Sequence, residues 1–120
     1  MEEITMAEQL RKFETGAIRD SDAGKLDYEG FFSPIVMERY AQYLHKHRTL
    51  PDGTLRDSDN WQKGLGLNVY MKSLFRHFMD VWKIHRCYDT RELLEDSLCG
   101  ILFNAMGYLF EILKKKKEQP

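Results

Sequence analysis

Four groups of residues in this chain have the types and spacing to do chemistry. Ser73, Arg76, His77 and Asp80 share one stripe if residues 67–88 are helical, with Ser73 and His77 four apart, as are Arg76 and Asp80. Such a set is either a solvated face with an i,i+4 ion pair or an anion clamp. In the clamp Arg76 takes a phosphate and His77 acts as ligand or proton carrier. The spacing alone favours the solvated face.

A second stripe holds Asp96, Gly100, Asn104 and Gly107, with Ser97 beside it. At about 100° per residue these fall within one narrow helical sector. Glycine costs about 1 kcal/mol inside a helix, so two of them need a reason. Either two helices approach closely there, or a ligand or metal sits over the stripe with Asp96 and Asn104 as oxygen donors. Spacing favours close packing.

The third group is the polar loop over residues 51–66, with Asp57, Asp59, Asn60, Trp61, Lys63 and Gly64. It fails as a calcium loop because Gln62 holds the sixth position, where glycine is required, and no glutamate follows at the twelfth. Trp61 either anchors the loop on the core or stacks on a base with Lys63 near a phosphate. The fourth group is residues 18–30, IRDSDAGKLDYEG. It is not a P-loop, since it lacks G-x-x-x-x-G-K-[ST] and a preceding strand. Arg19 and Lys25 nevertheless bracket Gly24 in a segment with the cations and backbone amides that polyphosphate needs. Asp20, Asp22 and Asp27 either hold those cations or keep the segment soluble. His45 and His47 are two apart and cannot share a metal on a helix. Cys87 and Cys99 lack metal-ligand spacing and read as reduced thiols in an intracellular protein.

The elements that must position these groups are helical. Ser33 is a good N-cap and Pro34 a good first residue for a helix that ends near Pro51. A second helix is expected over about 67–88, with Tyr70, Leu74, Phe78, Val81 and Trp82 on its core face and His85 behind them. Asp89 as cap and Glu92 in the capping-box position start a third helix, over about 90–113. Its core face reads Leu94, Leu98, Ile101, Leu102, Ala105, Leu109 and Ile112. Residues 1–15 carry a weak helical pattern with Thr5 as its cap, and no strand pattern of convincing length appears. The expectation is one all-α domain over 1–120: an N-terminal arm and loop at 1–32, a helical core at 33–113 and a basic tail at 114–120. A three-helix core of this length is thin, so a homo-oligomer is expected.

Charge excludes little. The net charge of −1 gives no general affinity for nucleic-acid polymers. No apolar run approaches the ~18–20 residues of a membrane span, and the acidic N-terminus lacks the apolar region of a signal peptide. No membrane partner is expected.

Taken in order, ETGAIRDSDAGKLDYEGFFSPIVMERYA, NWQKG, SLFRHF and LLEDSLCGILFNAMGYL make the chain resemble, over roughly residues 14–110, a phage-encoded family. That family is the N-terminal domain of dATP/dGTP diphosphohydrolases, distantly like the all-α MazG-type nucleotide pyrophosphohydrolases. The resemblance implies a phage or prophage protein in the cytoplasm of its bacterial host, handling a purine dNTP-like ligand with Mg²⁺. It points to Arg19, Asp20, Gly24, Lys25, Asn60, Trp61, Lys63, Arg76 and Asn104 as nucleotide contacts, with Gly64 and Ser73 also in the matching motifs. It implies Glu95, Asp96 and His77 as catalytic groups, Glu95 and Asp96 being the metal ligands. Where the family pattern commonly has Glu-Asp-His, this chain has Glu95-Asp96-Ser97. That departure leaves two expectations: a Mg²⁺-dependent pyrophosphohydrolase, or a non-catalytic protein that sequesters a host nucleotide immune signal.

Overall fold

The computed structural model describes residues 10–90 and 92–118. The chain divides into two compact units, Met1–Ser33 and Pro34–Pro120.

The first unit departs from an all-helical reading. Strands β1 (Leu10–Lys12) and β2 (Ile18–Asp20) pair antiparallel, with Arg11 opposite Arg19. Phe13 N–H donates to Ala17 O at 3.0 Å and closes the turn, in which Gly16 sits at φ 89°. The expected helix over 1–15 therefore gives way to a hairpin from Leu10 onward; its first nine residues, with the proposed Thr5 cap, lie outside the described residues. Three-residue strands are too short to leave an alternating signature. The short helix α1 (Tyr28–Phe31) follows, capped by Asp27, whose Oδ1 accepts from Gly30 N–H at 2.9 Å.

The second unit is helical. Helix α2 spans Pro34–Lys46, α3 Leu67–His85 and α4 Leu94–Glu118, with a 3₁₀ turn at Asn60–Lys63. Helix α3 stops three residues before the expected end. Cys87 adopts φ 65°, its N–H donates to Ile84 O, and Tyr88 N–H donates back to Lys83 O at 2.8 Å. That pair of bonds is a Schellman stop, with cysteine where glycine usually sits. Helix α4 starts four residues later than expected and runs five residues further, to Glu118, ending in Lys115, Lys116 and Lys117, where the helix dipole favours cations.

Helices α3 and α4 form an antiparallel hairpin, because Tyr70 meets Gly107 while His77 meets Gly100. The glycine stripe is the packing face. A Cβ at Gly100 would stand 2.6 Å from the His77 ring, and one at Gly107 would collide with the Tyr70 ring. Asn104, buried between them, donates its amide to Gly100 O at 2.7 Å. Helix α2 packs Tyr40 and Tyr43 near Cys99, with Leu44, Phe103 and Met106 around them.

This arrangement reverses one expectation. The leucine face of α4, read as core from its periodicity, is open in the single chain: Leu98 is 44 % exposed and Leu109 56 %. The polar and glycine face is buried instead. On α3, Tyr70 is buried as expected, but Phe78 and Trp82 are exposed. The search for an apolar run also understated α4, which is long and apolar enough, at a mean hydropathy of 1.3 over eighteen residues, to cross a membrane by length and composition.

Candidate functional site

The α3–α4 packing gathers one cluster of metal-ligating side chains. One donor atom from each of His77, Asp80 and Glu92 lies within 4.8 Å of the others. His77 and Asp80 are three apart on α3 and so share its buried side; Asp80 is buried and His77 half-buried. Glu92 comes from the connection into α4, where Thr90 Oγ1 donates to Glu92 O at 2.7 Å. Its carboxylate turns back across the hairpin instead of capping the helix. Glu92 Oε2 meets His77 Nδ1 at 3.0 Å and accepts from Ser97 Oγ at 2.9 Å.

Serine, carboxylate and imidazole together suggest a nucleophilic triad, but the order is wrong. A triad needs the imidazole between hydroxyl and carboxylate. Here Glu92 sits in the middle and the Ser97 hydroxyl is fully buried, donating to the carboxylate. Ser97 therefore aims Glu92 and is not placed to attack a substrate. One imidazole nitrogen and two carboxylate oxygens suit a divalent cation. Ser97 holds the Glu92 carboxylate in place, while a cation bound through His77 Nδ1 would replace the His77–Glu92 hydrogen bond.

Glu95 and Asp96, the expected metal pair, are placed differently. Arg39 of α2 donates from Nε to Glu95 Oε1 at 2.7 Å and from Nη2 to Asp96 Oδ1 at 2.8 Å. Among the described residues neither carboxylate joins a cluster of three ligating groups. The Arg39 hydrogen bond holds the Asp96 carboxyl below its ordinary range, and Asp96, then Glu95, raise the Arg39 guanidinium. A carboxylate with a depressed folded-state pKa stabilises the fold above its unfolded value of about 3.9, and that contribution is lost as pH falls through the folded value. The stability gap between the wild type and Arg39→Gln is therefore expected to be constant near neutrality and to close under acid. Urea titrations at several pH values measure it, and a gap independent of pH down to strong acid would contradict the pairing.

The nucleotide contacts implied by resemblance fall in three places. Arg19 and Asp20 lie on β2, with Gly24 and Lys25 in the turn after it where Gly24 takes φ 77°; all four are exposed residues of the first unit. Asn60, Trp61 and Lys63 form the 3₁₀ turn. Trp61 anchors it: its ring packs edge-on against Phe110 at 4.9 Å and Phe103 at 6.3 Å, and its carbonyl accepts from the Tyr70 hydroxyl at 3.4 Å. Lys63 stays exposed. Arg76 is exposed on α3, whereas its neighbour His77 turns inward. Asn104 is spent on its own helix.

A 430 Å³ groove runs between α2 and α4, its lining including Ile35, Val36, Leu98 and Leu102 as well as Arg39 and Glu95. Sequence reasoning missed Glu92 as a ligating group, because its position matched a capping box. The signal that would have found it is the pairing of His77 with the chain entering α4, a long-range contact that no local pattern encodes. Comparison with protein-family models, curated proteins and solved structures gave no match in any of the three.

Proposed function

We propose that this chain is a phage or prophage protein that binds a purine deoxynucleoside triphosphate or a similar ligand with a divalent cation, and acts on it as a pyrophosphohydrolase. The observation that supports this reading is the His77, Asp80 and Glu92 cluster, with its donor atoms within 4.8 Å of one another. His77, Asp80 and Glu92 would hold the cation, with Ser97 orienting Glu92. Mg²⁺ prefers all-oxygen surroundings, whereas an imidazole donor suits Mn²⁺ or Zn²⁺ equally well or better. When bound, such a cation supplies charge neutralisation at phosphate oxygens. Of the implied nucleotide contacts, the helical unit supplies two exposed cations for phosphates, the Arg76 guanidinium and the Lys63 ammonium.

One observation favours a second reading, capture without turnover. Arg39 occupies Glu95 and Asp96, and the three-donor cluster found among the described residues is enough for one cation and few for the paired-cation chemistry of phosphoryl transfer. In that reading the same residues retain a nucleotide immune signal intact.

Incubation with Mn²⁺ or Mg²⁺ and a panel of dATP, dGTP and cyclic nucleotides, chromatographed before and after heat denaturation, separates the two. Metal-dependent product is the expected result. Intact nucleotide released only by heat would establish capture. No retention and no product with any nucleotide would overturn both.

A further inference from the structure

We propose that the open leucine face of α4 is the docking surface for a second copy of this chain, with the two α4 helices antiparallel. The inference rests on residues outside the metal cluster, so it stands or falls separately from the proposed function.

The face consists of Leu94, Leu98, Leu102, Ala105, Leu109 and Leu113, all exposed in the single chain. Their intervals are four, four, three, four and four residues, the same read in either direction. A two-fold axis between Leu102 and Ala105 sets Leu94 against Leu113, Leu98 against Leu109 and Leu102 against Ala105. An isologous interface requires this self-complementarity, each residue meeting the counterpart of its own partner. The small Ala105 at the centre lets the backbones come close.

Charge selects the same direction. The first turn of α4 carries Glu95 and Asp96, and its last turn Lys115, Lys116 and Lys117. Antiparallel pairing sets the Glu95 and Asp96 ends, still net negative beside Arg39, against the lysine ends, whereas parallel pairing sets the lysine ends against each other. A bilayer, the other apolar surface this face could meet, is indifferent to the order of the intervals.

Among the described residues the buried apolar side chains are Tyr40, Tyr43, Tyr70 and Cys99, a small core for this length, which pairing through α4 would enlarge.

Light scattering on the full chain at micromolar concentration is expected to give at least twice the 14.3 kDa of one copy. Orientation is read by disulfide trapping in a Cys87→Ser background. Chains carrying Leu98→Cys mixed with chains carrying Leu109→Cys should cross-link, and Leu98→Cys chains alone should not. A folded 14.3 kDa monomer, one that sediments with anionic lipid vesicles, or a 98-to-98 cross-link would each overturn the proposal.

Discussion

Gly107→Ala is expected to destabilise the fold by about 1–3 kcal/mol, although alanine is the better helix former by about 1 kcal/mol. The two effects oppose each other, so the sign of the result is informative. In α4 the missing side chain leaves room for the Tyr70 ring of α3, which is 1 % exposed. A Cβ at position 107 would strike that ring, and a well-packed interior absorbs an extra methyl poorly. Pairing the change with Tyr70→Leu is expected to recover part of the loss, giving a non-zero coupling in a double-mutant cycle. Urea denaturation supplies the numbers. If Gly107→Ala alone raises stability by the propensity difference, the helices do not approach as closely as described.

His77→Ala is expected to weaken divalent-cation binding by more than about 100-fold, because loss of a ligand exceeds the roughly 10–100-fold cost of losing a group that orients one. Ser97→Ala should fall within that smaller range, since Ser97 holds Glu92 Oε2 at 2.9 Å. Arg39→Gln, which releases Glu95 and Asp96, is expected to leave cation affinity unchanged. Calorimetric titration with Mn²⁺, with helical content checked by circular dichroism, measures all three. Unaltered affinity in His77→Ala would remove the cluster from consideration. A large gain in cation affinity in Arg39→Gln would return Glu95 and Asp96 to the metal site.

How far the sequence alone reaches is uneven, and the reasons are physical. The start of α2 was legible because Ser33-Pro34 is a local signal, and the start of α3 because the glycine-rich loop ends at Gly66. The glycine stripe was also legible as a packing face, since two glycines inside a helix are costly unless something close requires them. The partners of that stripe were not legible, because the contacts of Gly100 with His77 and of Gly107 with Tyr70 span the hairpin. The leucine face of α4 was assigned to the core by its period, but period reports only that a face is apolar and not which surface covers it. Asp80 looked like the partner of Arg76 from i,i+4 spacing, yet it is buried while Arg76 is exposed. The short hairpin at Leu10–Asp20 fell below the length at which alternation can be recognised. His77 was the one member of the cluster picked as a catalytic group.

The hydrogen bonds that tie α2 to α4 join residues far apart in sequence: Arg39 reaches Glu95 and Asp96 across 56 and 57 positions. His77 and Glu92, by contrast, are 15 apart. Closing the α3–α4 connection costs little chain entropy, while docking α2 requires a longer search. The hairpin that carries the metal cluster is thus expected to form early in folding, with α2 arriving last and Arg39 fastening it.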